Sequence, residues 1–205
     1  MTLSTKTRNF LLLGAIAIAA VFVPGLLIKI NVIDAYTAQI FTLAGINAIM
    51  AISVNIITGV TGQLTLGQAG FMAIGAYTCI WFSQVAHLPL PLAVLVGALF
   101  AAFAGFLIGF PTLKLSGDYL AIVTLGFGEI LRVVFVNLKD ITGGANGKRF
   151  TTILAASADI AWIVIIGTLV ATIIFLQNFL RSTYGRAILS VREDEIAANS
   201  NGIGI

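Results

Sequence analysis

Charge is scarce in this chain: Lys plus Arg number 11 and Asp plus Glu 8 in 205 residues, 9% in all. Soluble globular domains carry about 25% charged residues, so a water-solvated globule is excluded. Cysteine is nearly absent too. The single Cys79 rules out an intramolecular disulfide framework and a cysteine-rich metal site, and it reads as a small buried hydrophobe. Histidine occurs once, as His87 beside Pro89 and Pro91. With no second His, no Cys pair and no carboxylate close by, no metal site is expected, nor a catalytic one.

Several motifs are missing as well. Neither a nucleophile elbow nor H-E-x-x-H occurs, which speaks against an intramembrane enzyme. The stretch "ITGGANGKRF", Ile141 to Phe150, looks like a phosphate loop but lacks its spacing, because Lys148 is followed by Arg149. It reads as a tight external turn, either a plain connector or a surface for a docking partner. The net charge is +3, yet the basic residues lie singly between apolar runs. That pattern reports topology, not a nucleic-acid patch. No cofactor is expected on this chain.

What the chain does have is hydrophobic sequence, 59% of it, with 14 Phe and a mean hydropathy of +1.07. Lipid must cover most of such a surface. Only helices and closed barrels satisfy their backbone groups in a bilayer, and the apolar runs are continuous where barrel strands would alternate. An all-α polytopic membrane protein follows, with about six spans: Phe10 to Ile28, Phe41 to Ile57, Gly70 to Val85, Leu90 to Phe110, Tyr119 to Leu138 and Ile160 to Leu180. The first is longer than the ~7 to 15 apolar residues of a signal peptide, so it reads as an uncleaved span. The third is short and Gly-rich at its start, open to a partly re-entrant course.

Lys and Arg in the loops give the orientation. With the N-terminus in the cytoplasm, Lys6, Arg8, Lys114, Arg181, Arg186 and Arg192 lie inside, and Lys29, Lys139, Lys148 and Arg149 outside. This bias, with Lys6 and Arg8 preceding the first span, favours N-in. Six spans then return the chain to the cytoplasm, which makes residues 181–205 a cytoplasmic segment of one membrane domain. No linker and no repeat divide residues 1–205.

Two polar features inside the apolar runs carry possible chemistry. In "TGVTGQLTLGQAGFMAIGAY", Thr58 to Tyr77, the glycines before Gly70 fit an irregular loop, whereas Gly70, Ala73 and Ala76 or Tyr77 continue at helical spacing and admit a close neighbour. Gln63 and Gln68 there either bond freed backbone groups or line a pathway. In "SGDYLAIVTLGFGEILRVVFVNL", Ser116 to Leu138, Asp118 is placed to cap the helix. Glu129 and Arg132 fall near its middle and can pair at a spacing of three. An isolated charge at the centre of a membrane helix costs about 2.5 to 3.5 kcal/mol. The pair is therefore expected to face inward, as a structural lock or as part of a translocation pathway with Gln63, Gln68 and Gly70. Proton coupling through Glu129, in a channel or secondary transporter, is the reading from a different functional class.

The closing stretch "SVREDEIAANSNGIGI", Ser190 to Ile205, has helical grammar. Ser190 and Glu193 match a capping box, Glu193, Asp194 and Glu195 favour the positive end of the dipole, and Gly202 stands where a helix stops. A helix from Val191 to Ser200 is expected, with a small face of Ile196, Ala197 and Ser200. That face suits a shallow groove on another protein better than it suits a bilayer.

Here the residues resemble a known family. "EIAANSNG", Glu195 to Gly202, resembles the cytoplasmic EAA loop of bacterial ABC-importer permeases, with Ile196 at the usual Glu position and Glu195 one place earlier. Preceded by "GRAILSVRED", Gly185 to Asp194, it is similar to the permease subunits of branched-chain amino acid ABC importers, the LivM type. "GQLTLGQAGFMAIGAYT", Gly62 to Thr78, and "LKLSGDYLAIVTLGFGEILRVV" with "ITGGANG", Leu113 to Gly147, carry the same resemblance. The resemblance implies an ABC-importer permease fold in a bacterial or archaeal plasma membrane, forming half of a pathway for leucine, isoleucine and valine. It implies a second homologous permease, two cytoplasmic ATP-binding subunits that use ATP and Mg, and an extracytoplasmic substrate-binding protein. It assigns ATPase coupling to Gly185, Arg186, Arg192, Glu193, Asp194, Glu195, Ala197, Ala198 and Gly202. Related importers for urea or short amides are the nearest alternative. Family members continue past this loop with further spans, so the last residues here correspond to the middle of such a protein.

Overall fold

A computed structural model describes residues 22–30, 32–112, 115, 117–148 and 158–203. All regular structure among them is helical, as the burial of backbone polar groups in lipid requires. The start of the expected first span lies outside the described residues, and residues 22–28 of it are helical. The remaining elements are α1 (Ala35–Asn55), a π-helical turn (Ile56–Val60), α2 (Gln68–Gln84), α3 (Leu90–Thr112), α4 (Asp118–Asn137), the single turn α5 (Lys139–Thr142), a 3-10 turn (Gly144–Asn146), α6 (Ala158–Arg181), α7 (Thr183–Glu193) and α8 (Glu195–Ser200).

Among the described residues, four stretches are long and apolar enough to cross a bilayer: Tyr36–Val60, Leu90–Thr112, Asp118–Asn137 and Asp159–Arg181. Their apolar residues point outward. On α3, Leu99, Phe103, Phe106 and Phe110 repeat at helical spacing and are 60, 63, 69 and 71% exposed, a stripe that water would not tolerate and acyl chains would cover. Helix α2 is 17 residues long, about 25 Å at 1.5 Å per residue and so short of a full hydrocarbon core.

The chain falls into two compact units. Unit 1 comprises residues 1–52, 151–190 and 196–205. Its core gathers Ile28, Ala38, Trp162 and Ile166, packed against Ile33, Ile163, Leu169 and Val170. Phe41 meets the Trp162 ring edge-to-face at 5.9 Å. Gly45 lets α1 lie against α6, since a Cβ there would sit 2.8 Å from the Ile165 side chain.

Unit 2 comprises residues 53–150 and 191–195. Helices α2 and α3 form its hairpin and cross at Gly75 and Gly97, where a Cβ on Gly97 would come within 2.6 Å of the Gly75 carbonyl. This small-residue contact is the usual means of close helix approach in membranes. The half-buried Cys79 lies beside the same crossing. Rings join the layers: Phe71 with Phe127 at 5.6 Å, Tyr77 with Phe135 at 4.8 Å and Phe82 with Phe100 at 5.9 Å.

Two local expectations are corrected here. Asp118 does not cap α4: Gly117, at φ 61°, is the cap residue and makes no side-chain bond, so Asp118 is the first helical residue. Its charge still faces the positive end of the dipole. Ser190 is not a helix cap either. It lies inside α7 and its hydroxyl donates to the Ala187 carbonyl at 2.8 Å. The cap of α7 is Ser182, whose oxygen accepts the Gly185 N–H at 3.2 Å, the ordinary bond from the third helical position. The tail helix consequently starts eight residues before Val191 and breaks at Asp194, before α8 resumes at Glu195.

Candidate functional site

The site begins where α1 loses its α-helical register. Thr61 N–H donates to the Ile56 carbonyl at 3.2 Å, five residues back, and Gln63 N–H to Ile57 at 3.2 Å. Such π-helical turns cluster at functional positions. Gly62 follows at φ +73°, a left-handed conformation that glycine adopts without strain. The chain then runs without regular structure to Gly67, the irregular loop expected from its glycines.

Helix α4 anchors this loop. The Thr124 hydroxyl donates back to the Leu120 and Ala121 carbonyls and accepts the Leu66 N–H at 3.1 Å. Gly67 lies so close to α4 that a Cβ would stand 2.7 Å from the Thr124 carbonyl oxygen. One turn on, a Cβ at Gly70 would be 2.8 Å from Leu131 and 3.4 Å from the Gly128 Cα. Gly67, Gly70 and Gly128 therefore form a backbone-to-backbone seam between the start of α2 and the middle of α4.

A cavity opens on either side of the seam. The first, about 380 Å³, is lined by Gly70, Ala73 and Tyr77 of α2, Leu125, Glu129, Arg132 and Phe135 of α4, and Gly144, Ala145 and Gly147. Arg132 Nη1 donates to Glu129 Oε2 at 3.1 Å, with the two side chains 75 and 59% exposed. Glu129 is the twelfth residue of α4, about 16 Å along a helix of about 30 Å. The pair anticipated from the sequence is formed near the middle of α4 and lines a cavity, but the described residues leave both side chains largely exposed, so the expected inward burial is not seen among them.

The second cavity, about 390 Å³, contains no charge. Its polar groups are Ser53, Thr61, Gln63, Thr65, Gln68, Thr112 and Thr124. Thr61 and Thr112 spend their hydroxyl protons on helix carbonyls, whereas the buried Thr65 hydroxyl has no partner. Gln63 and Gln68 both line this cavity, and the Gln63 backbone N–H bonds the Ile57 carbonyl. The five pathway candidates thus divide, Gln63 and Gln68 in one cavity and Gly70, Glu129 and Arg132 in the other.

The three-glycine turn lines one end of the first cavity. Gly143, Gly144 and Gly147 all take positive φ, 78, 66 and 68°. Thr142, only 1% exposed, donates to the Phe135 and Leu138 carbonyls and accepts the Gly144 N–H. Arg149 and Phe150 of that motif lie outside the described residues. His87, at φ 50°, belongs to the α2–α3 connection, and no group of three metal-ligating side chains exists among the described residues.

The closing segment reaches the π turn. Arg192 Nη1 donates to the Gly59 carbonyl at 2.8 Å, and its guanidinium also pairs with Glu193. The Arg192 stem passes over Gly62, where a Cβ would lie 2.9 Å from its Cγ. Gly185 packs against the backbone of Phe179 and Leu180, which leaves no room for a side chain at the start of α7. Arg186, Glu193, Asp194 and Ala197 are exposed. Ala198 is 4% exposed and Ile196 81%, so the three residues of the expected small face, Ile196, Ala197 and Ser200, all project outward while Ala198 turns in. Gly202 ends α8 at φ +80°, with its own N–H bonded to Asn199 and that of Ile203 to Ala198, the Schellman arrangement of a glycine-terminated helix. Neither the Arg192–Gly59 bond nor the Ser182 cap was read from the sequence. The cap had a local signal in Ser182-Thr-Tyr-Gly185, but a bond spanning 133 positions had none.

Residues 36–205 match the family model described as branched-chain amino acid transport system / permease component. The chain is 37% identical over 196 positions to the high-affinity branched-chain amino acid transport system permease protein LivM of Escherichia coli (strain K12), an alignment covering 82% of this chain and 46% of that protein. It is 35% identical over the same shares to the LivM protein of Salmonella typhimurium. The chain thus spans about half the length of these curated relatives, and no solved structure matches. On the family match and these relatives together, the multi-pass helical membrane chain described here belongs to the family of branched-chain amino acid transport permease components.

Proposed function

We propose that this chain serves as a permease subunit of an ATP-driven importer, forming half of the translocation pathway for leucine, isoleucine and valine. It acts as one membrane domain with its N-terminus in the cytoplasm, in a bacterial or archaeal plasma membrane. The other half comes from a second homologous permease. Two cytoplasmic subunits hydrolyse ATP with Mg, and an extracytoplasmic binding protein delivers the amino acid. In this reading α7 and α8 carry the coupling residues Gly185, Arg186, Arg192, Glu193, Asp194, Glu195, Ala197, Ala198 and Gly202, and α2 with α4 carries the pathway.

The observation that carries the reading is the Arg192 bond to Gly59. A charge-assisted hydrogen bond joins the segment that would meet the ATPase to the π turn, and the loop beyond that turn with the start of α2 supplies Gln63, Thr65 and Gln68 to the second cavity. Displacement of α7 therefore pulls on a backbone carbonyl at the mouth of the pathway. In the assembled importer, Arg192→Ala keeps ATP hydrolysis but lowers leucine uptake roughly tenfold, and Arg192→Lys recovers part of it because a point cation still reaches one carbonyl. An unchanged ratio of uptake to hydrolysis in Arg192→Ala would refute this coupling route. Uptake indifferent to isoleucine and valine but blocked by urea would move the substrate to the small amides. Proton-driven flux without ATP, abolished by Glu129→Gln, would replace the importer by a secondary transporter.

A further inference from the structure

The paired charges of the first cavity stand beside a wall whose shape is set by backbone. Glu129 and Arg132 use one carboxylate oxygen and one guanidinium nitrogen for each other. A guanidinium has five donors and a carboxylate about four acceptor positions, so most of their capacity is left for a ligand. The adjoining wall is apolar and stiff, with Gly70 seated on Leu131 and Gly128 and Ala73 and Leu125 also lining the cavity. Its end is closed by the turn that Thr142 ties to α4.

Opposite charges one helical turn apart, next to a small apolar wall, complement a molecule that carries both charges on one carbon and a hydrocarbon branch on the same carbon. We propose that this cavity binds the zwitterionic head of an aliphatic amino acid, the Glu129 carboxylate receiving the ammonium group and the Arg132 guanidinium the carboxylate, with the hydrocarbon chain on Gly70, Ala73 and Leu125. The inference rests on the reading of the chain as an amino-acid permease and gives it a site. A zwitterion against an ion pair leaves no charge uncompensated. A solute with one charge engages only one member of the pair and adds a net charge to the site, which is penalised away from water.

That asymmetry gives the test. The assembled importer, reconstituted in lipid nanodiscs without the external binding protein, is titrated with radiolabelled leucine. Unlabelled leucine, 4-methylpentanoate and 3-methylbutylamine serve as competitors. In the unaltered complex both single-charge analogues compete roughly tenfold or more weakly than leucine. Arg132→Gln weakens leucine and closes the gap to 3-methylbutylamine, and Glu129→Gln weakens leucine and closes the gap to 4-methylpentanoate. Ala73→Leu, which fills the apolar end and leaves both charges in place, also weakens leucine.

Leucine binding unchanged in the charge variants, or in Ala73→Leu, overturns the site. So does loss of the second permease from the charge variants, because it marks the pair as a lock between subunits. An unaltered complex that transports leucine but shows no saturable binding of it overturns this inference alone. An unaltered complex that transports no leucine overturns the importer reading beneath it.

Discussion

The two cavities of unit 2 are almost equal in volume, about 380 and 390 Å³, and opposite in chemistry. The first holds an ion pair against an apolar wall; the second holds hydroxyls and amides and no charge. Helix α4 lines both, with Glu129 and Arg132 on one side of the seam and Leu120 and Thr124 on the other. A charged cavity holds a zwitterion strongly in a low dielectric, and a site that holds too strongly does not release. Neutral groups satisfy the same solute's polar atoms without trapping it. Side by side along one helix, the two suit successive stations for one solute, the first selecting and the second passing it on. In the function proposed above, the Arg192 bond acts on the second.

The comparison breaks most completely at the seam. Gly67→Val drives a side chain into the Thr124 backbone, with a cost of about 1 to 3 kcal/mol as overpacking. Thermal melting of the purified complex should show a large drop, and Gly109→Ala, where nothing lies within 4 Å of an added Cβ, should show almost none. Equal behaviour of the two variants would mean that the seam is not a close contact.

A smaller effect is expected at Thr124→Val. It removes the acceptor for the Leu66 N–H and leaves a donor unpaired at about 1 to 3 kcal/mol if no water replaces it. Hydrogen exchange at Leu66 should rise, with leucine uptake falling as the loop loosens. Retained protection at Leu66 would show that the loop is held by something else.

The smallest change in stability is expected at Thr65→Val. Its buried hydroxyl has no protein partner, so its removal leaves melting within about 0.5 kcal/mol of the parent or slightly higher. If that hydroxyl serves the solute, uptake falls several-fold in the same variant. Unaltered uptake would take Thr65 out of the pathway and leave the second cavity a packing defect.

How much of this was legible beforehand depends on the range of the interaction. The irregular stretch before Gly70, the Glu129–Arg132 pair and the three-glycine turn were all readable, because each arises from residues within a turn or two of one another. Asp118 and Ser190 were misplaced by local competition. Gly117 and Ser182, each adjacent to or within one turn of its helix start, took the cap positions instead. The expected tail helix assumed a start at Val191, whereas the Ser182 cap and the room left by Gly185 let α7 begin at Thr183 and carry Ser190 inside it.

Composition and periodicity by themselves determined the solvent, the helical class, the runs long enough to cross a membrane and the charge pair that such a membrane could not leave alone. Hydrophobic transfer and backbone satisfaction are summed over residues, so a string of residues states them. Only the tertiary structure decided that Gly67 and Gly70 meet α4, that the polar residues divide into a charged and a neutral cavity, and that Arg192 reaches Gly59. Those contacts depend on helix crossings and on bonds between positions as many as 133 apart, and no local pattern in the chain encodes such a distance.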